Sequence, residues 1–214
     1  MAETRPLLSA SSETEITLGV LNAIQESSEV TQRSVARELG IALGLANAYL
    51  KRCVKKGLIK VAQVPSNRYA YYLTPRGFSE KSKLTAEYLS QSFLFFRLAR
   101  SQCEVLFARC AERGWQRVVL AGASDLGEIA TLCAREHGVE VIGFFEAGSN
   151  RATCAGLPVF PDATGLSDAD AVIITDLADP QGVFETLRSR LPAARLLHPK
   201  LLHIADETAT GGER

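Results

Sequence analysis

The sequence predicts an α/β chain with an all-α-rich N-terminal part, a winged helix-turn-helix followed by a Rossmann-like parallel-sheet domain. Three observations carry this. Residues 16–77 read as three helices and a two-stranded hairpin. Residues from 117 onward alternate apolar strands with helices around a glycine turn. Charge divides along the same line. Residues 31–83 hold eleven Lys/Arg against two acids, a balance of +9, and residues 101–214 hold ten against sixteen, a balance of −6, although the formal net charge is +0. Such a split points to one half that meets a polyanion and one that does not.

The N-terminal stretch "MAETRPLLSASSETE" carries acids and no apolar core, so residues 1–15 are expected as a flexible tail and not as a signal peptide. "ITLGVLNAIQE" (16–26) repeats apolar residues at helical spacing. Thr31 is placed to cap a second helix, "TQRSVAREL", which stops at Gly40. A third helix is expected from about Ala42 to Lys56, ending at Gly57. One face of it collects Leu43, Ala46, Asn47, Leu50, Cys53 and Val54. The other presents Gly44, Leu45, Ala48, Tyr49, Arg52 and Lys55, the candidate DNA-reading residues. Two strand-like runs, "LIKVAQV" and "RYAYYLT", follow, joined by "PSN". They make the wing, with Tyr69 and Tyr71 on one face and Ala70 and Tyr72 on the other. Arg68 sits beside the wing tip, within reach of a phosphate or the minor groove. A winged helix can also serve protein contacts; the +9 balance favours double-stranded DNA.

Residues 78–113 form a helical connector with one glycine, at its end. Leu84, Tyr88, Leu89, Phe93, Phe96, Leu98, Val105, Leu106 and Phe107 are too many large apolar residues for a solvated linker. Burial against a second copy, giving a homodimer, is the economical reading, and packing against its own domains is the alternative.

The Rossmann-like domain is expected over residues 114–207, before a short tail at 208–214. "RVVLAG" (117–122) is a buried strand, "SDLGEIATLCAREHG" a capped helix and "VEVIGFFE" a second strand, together a βαβ unit. "AVIITD" (171–176) adds a strand, followed by a helix from about Pro180 to Leu191 and a short strand near "ARLLH". Contiguous apolar strands fit a parallel sheet covered on both faces. The turn "GASDLG" is a GxGxxG pattern with Ser124 at the middle glycine. Gly122, Ser124, Asp125, Leu126 and Gly127 would therefore face a phosphate-bearing ligand, with Glu146 placed for ribose hydroxyls and Asp176 at the same sheet edge. Asp125 opposes a phosphate and can cap the helix by itself, so a domain that has lost its nucleotide is the alternative.

The segment "TQRSVARELGIALGLANAYLKRCVKKGLIK…YAYYLTPRGFSEK" resembles the MarR-type regulators associated with exopolysaccharide gene clusters, over about residues 16–90. The resemblance implies a dimeric bacterial DNA-binding domain; Leu45 stands where a basic residue would be expected. "VVLAGASDLGEIATLCAREHGVEVIGFFE…CAGLPVFPD…ADAVIITDLADP" is similar to the Rossmann-like domain that precedes the β-helix of nucleotide-sugar O-acyltransferases, and to a related domain of polysaccharide-biosynthesis enzymes. In those domains the turn contacts the nucleotide sugar. No hexapeptide β-helix follows here, so acyltransferase chemistry is not implied. The domain order also resembles the redox-sensing repressor Rex, which reads NADH.

Five scattered cysteines (53, 103, 110, 133 and 154) contain no CxxC pair and imply neither a zinc site nor a disulfide framework; Cys103 and Cys110 share a helix face, which leaves a redox pair open. His137, His198 and His203 stand apart from any Cys or Ser in catalytic order. His198 is either a crevice residue or a plain loop residue, and Asp176 with Asp179 either a metal pair or a turn and helix cap. No GxSxG, HExxH or Walker pattern occurs, so no catalysis is expected. The sequence thus reads as a cytoplasmic, dimeric transcription regulator sensing a small nucleotide-type ligand, a nucleotide sugar or NAD(H). A ligand-free dimerisation domain and a sugar-nucleotide enzyme fused to a DNA-binding domain remain alternatives.

Overall fold

The computed structural model describes residues 6–64 and 68–205. The chain divides into two compact units between Phe93 and Leu94. The 38-residue helix α4 (Pro75–Glu112) runs through that boundary. Its first half belongs to the first unit and its second half to the other, so the connector expected at 78–113 is no separate module.

The first unit holds α1 (Pro6–Glu26), α2 (Gln32–Glu38), α3 (Leu43–Lys55), β1 (Ile59–Val64) and β2 (Arg68–Leu73). Helix α1, expected from residue 16, begins at Pro6, so residues 6–15 of the expected tail are helical. Residues 1–5, 65–67 and 206–214 lie outside the described residues, and with them the wing tip and the C-terminal tail. Thr31 caps α2 through a reciprocal pair of bonds with Ser34, which satisfies two otherwise orphaned amides. Gly40 and Gly57 take positive φ directly after α2 and α3, where a side chain would be strained. The hairpin is antiparallel with Val61 opposite Tyr71 and Ala62 opposite Ala70. The core is built from Val20, Leu21 and Ile24 of α1, Val35 of α2, Ala46, Leu50 and Cys53 of α3, Leu58, Ile59 and Leu84. Gly77 lies where a Cβ would sit 2.0 Å from the Leu58 carbonyl oxygen, so the start of α4 can pack on the hairpin only through glycine.

The second unit is a six-stranded sheet in the order β5-β6-β4-β3-β7-β8. Its strands are β3 (Arg117–Ala121), β4 (Glu140–Phe145), β5 (Thr153–Cys154), β6 (Leu157–Phe160), β7 (Ala171–Ile174) and β8 (Leu196–Leu197). All neighbours are parallel except the β5–β6 edge pair. Helix α5 (Asp125–Glu136) connects β3 to β4, and α6 (Pro180–Arg188) follows β7. Two separate apolar clusters pack on the sheet, one with α5 and the C-terminal part of α4, the other with α6. This is the winged helix followed by a Rossmann-like α/β domain that the sequence predicts, with a β5–β6 edge hairpin that the strand pattern did not reveal. Among the described residues no helix is long and apolar enough to cross a membrane.

Candidate functional site

The surface of α3 comes first. Ala46, Leu50 and Cys53 anchor it to the core, and Gly44, Leu45, Ala48, Lys51, Arg52 and Lys55 are exposed. Three positions depart from the helical wheel. Leu43 and Val54, expected inward, are 46% and 40% exposed. Tyr49, expected outward, is half-buried and packs against the core. The fully buried residues of α3 are Ala46, Leu50 and Cys53, a narrow stripe that leaves Leu43 and Val54 outside it and Tyr49 at its margin. Arg52 forms an ion pair with Glu13 of α1, so that guanidinium is shared with the protein's own carboxylate. Lys51, which sequence reasoning did not select, is exposed beside it. On the hairpin Tyr69 and Tyr72 are exposed, Ala70 is buried and Tyr71 packs on the core. Arg68 opens β2, but its side chain lies outside the described residues.

In the second unit the chain winds from β3 through β4 to β6 on one side, then returns to β7 and β8 on the other. Strand order therefore reverses between β3 and β7, the place where open α/β sheets form a crevice. A cavity of about 320 Å³ lies there, lined by Gly122, Phe145, Glu146, Ala147, Asp176, Asp179, Gly182, Val183 and Thr186. Three of the candidate ligand residues, Gly122, Glu146 and Asp176, meet in it. The other four do not line it. Leu126 is fully buried in the core. Ser124 caps α5 by accepting a bond from the Gly127 amide (3.4 Å) and donates its Oγ to the Thr175 carbonyl (2.5 Å). Gly127 is needed for packing, because a Cβ there would meet the Phe144 ring at 2.6 Å. Asp125 is exposed at the helix start.

The turn is closed against β7. Buried Thr175 donates its Oγ1 to the Gly122 carbonyl at 2.7 Å. Gly122 has φ +119°, and a Cβ would sit 2.3 Å from the Asp176 amide nitrogen. Glycine is thus demanded by the neighbouring strand, not only by an approaching ligand. Gly122→Val is therefore a folding lesion, not a clean ligand-blocking change. Each carboxylate at the cavity also has a structural role. Asp176 Oδ1 accepts the amides of Ala178 and Asp179 (2.8 and 2.7 Å), and Asp179 Oδ1 accepts the Gly182 amide (3.0 Å) as N-cap of α6. Glu146 accepts the Ser149 hydroxyl. Among the described residues no Lys, Arg or His lines the cavity. Its chemistry is therefore that of acceptors beside one hydroxyl and an apolar wall, suited to hydroxyl groups and hostile to a bare phosphate. Arg151 reaches the turn from the loop after β4 and donates to the Ala123 carbonyl at 2.9 Å.

Sequence reasoning weighs Asp179 beside Asp176 but misses the α6 residues of the lining, although Gly182, Val183 and Thr186 follow it at helical spacing, which is the available signal. His198 stacks edge-on to Phe184 rather than lining the cavity. His137 is the C-cap of α5. Among the described residues no three His, Cys, Asp or Glu are grouped to hold a metal ion. Cys103 and Cys110 are buried; burial first, then the neighbouring Cys133, pushes the Cys103 thiol up to about 12, and burial raises Cys110 to about 11. Both stay protonated near neutrality, which removes the thiolate a redox pair needs.

The fold and these two surfaces define a class: a winged helix joined to a Rossmann-like domain. Residues 13–60 match the winged helix-turn-helix DNA-binding family. The chain matches no curated protein. Among solved structures it is similar to MepR, a transcription regulator of the Staphylococcus aureus multidrug efflux pump MepA, at 24% identity and a TM-score of 0.33 over 39% of this chain. That match spans 61% of the MepR chain. Human N-acetylserotonin methyltransferase in complex with SAM aligns at 11% identity and a TM-score of 0.39, over 92% of this chain and 81% of that one.

Proposed function

We propose that the protein is a dimeric DNA-binding transcription regulator whose Rossmann-like domain senses a hydroxyl-bearing nucleotide-type ligand, a nucleotide sugar or a dinucleotide such as NAD(H). The winged-helix match over residues 13–60 and the cations of α3 support the DNA-binding half. The observation that carries the sensor half is the convergence of Gly122, Glu146 and Asp176 on one cavity where strand order reverses. Glu146 and Asp176, with Asp179 beside them, would hold sugar hydroxyls, and any phosphate would stay outside them. The similarity to polysaccharide-biosynthesis domains agrees with a sugar-bearing ligand.

One observation favours a second reading, a ligand-free dimerisation domain. The turn already spends its polar groups on β7 through Ser124, Thr175 and Gly122. A thermal-shift series with NAD(H), NADP(H), UDP-sugars and CoA separates the two. A true ligand at a hundred times its dissociation constant adds about 2.7 kcal/mol to stability. Glu146→Ala should reduce that shift and leave DNA affinity without ligand unchanged. If none of these compounds moves the melting temperature, the sensor reading fails and the second reading stands.

A further inference from the structure

The exposed surface of α3 divides by chemistry along its length. Its N-terminal half turns out Leu43, Gly44, Leu45 and Ala48, the two leucines 46% and 41% exposed. Its C-terminal half turns out Lys51, Arg52 and Lys55. The polar side chains of the N-terminal half point elsewhere: Asn47 and Tyr49 are half-buried, and the Asn47 amide oxygen is enclosed. A Cβ at Gly44 would meet nothing within 4 Å, so the fold itself does not require glycine there. A missing side chain at that point instead lets a second surface come close.

In helix-turn-helix proteins the N-terminal residues of the second helix meet base edges while flanking cations hold phosphates. Here the four residues placed for base edges carry no side-chain donor or acceptor. They cannot read the hydrogen-bond pattern that separates guanine, cytosine and adenine. One apolar group exists in the major groove, the C5 methyl of thymine. We infer that this protein, if it binds DNA as proposed above, reads its operator by apolar contact of Leu45 and Leu43 with thymine methyl groups, the cations of the same helix supplying the phosphate contacts. Sequence preference then lies in A·T pairs at the centre of each half-site.

The test enriches duplexes from a random pool with the full-length protein, then replaces thymines one at a time by deoxyuracil, which removes only the methyl. Enriched duplexes should carry A·T pairs at the contacted positions. Each contacted thymine should lose about fourfold in affinity on replacement, the value of one buried methyl-sized group. The double variant Leu43→Ala/Leu45→Ala should bind the thymine and deoxyuracil duplexes equally, with an unchanged melting temperature because both side chains are exposed. Equal affinity of the wild type for both duplexes at every position overturns the inference while leaving DNA binding intact. So does a Leu43→Ala/Leu45→Ala variant that keeps the distinction. A protein that enriches no duplex overturns the DNA-binding reading beneath it.

Discussion

Asp170 shows how single residues hold the second unit together. Its Oδ2 accepts the amides of Gln116 and Arg117 at 2.8 and 2.9 Å, and its own amide donates to the Arg117 carbonyl at 2.7 Å. The start of β7 is thereby tied to the start of β3. The Arg117 and then the Gln116 amide hold this carboxyl below its usual range. The sign follows. A group with a depressed folded pKa contributes stability above its unfolded value, near 4, and loses it as pH falls through the folded value. Asp170→Asn should therefore melt earlier than wild type at pH 7, and the difference should shrink below about pH 4. A difference that stays constant with pH would show that shape, not charge, matters at this position.

Helix α4 shows why an element cannot be read by composition alone. The sequence reading places Phe93 and Phe96 together against a second copy, with packing against the chain's own domains as the alternative. In the structure Phe93 and Leu94 are exposed, whereas Phe95 and Phe96 pack against the core of their own unit. Leu106 and Phe107 are also buried there, and Leu84 is buried in the first unit. Adjacent residues on a helix point about 100° apart, so four consecutive aromatic and aliphatic side chains cannot share one partner. The two substitutions therefore separate. Phe96→Asp places a charge against an apolar core and should destabilise the second unit by about 3 kcal/mol. Phe93→Asp should leave the melting temperature of that unit in place and shift sedimentation at micromolar concentration from dimer to monomer. A wild type that sediments as a monomer would end the dimer proposal.

At the scale of the whole molecule, charge separates the two units' tasks. The basic balance of residues 31–83 and the acidic balance of 101–214 belong to different compact units. The acidic half repels a polyanion, so the proposed DNA contact falls to the winged helix. If about six phosphates are contacted, log K should fall against log salt with a slope near −5. Replacing Lys55 and Arg52 by Ala should weaken binding to all sequences alike and flatten the slope by about 2. The Glu13–Arg52 ion pair makes Arg52 the weaker contributor, because the pair must open first. Lys55→Ala alone should thus cost more affinity than Arg52→Ala, as fluorescence anisotropy on one duplex would measure.

Local signals sufficed for much of this protein. Thr31 and Ser124 announce helix starts, Gly40, Gly57 and Gly138 announce helix ends, and the runs "RVVLA" and "AVII" are apolar enough to be central strands. Caps, positive-φ glycines and buried strands depend on a few neighbouring residues, so the order of elements and both domain types were legible. The place of Glu146 and Asp176 at one sheet edge was legible too, since strand ends follow from strand lengths. What needed the tertiary structure depends on residues distant in sequence. Strand β6 is four residues long and gains its position by pairing with β4. The cavity lining from α6 exists because that helix starts just after β7 and packs on the sheet, which brings its first turns to the cavity. The need for glycine at 122 comes from the backbone of residue 176, fifty-four positions away, whose close approach no local pattern encodes.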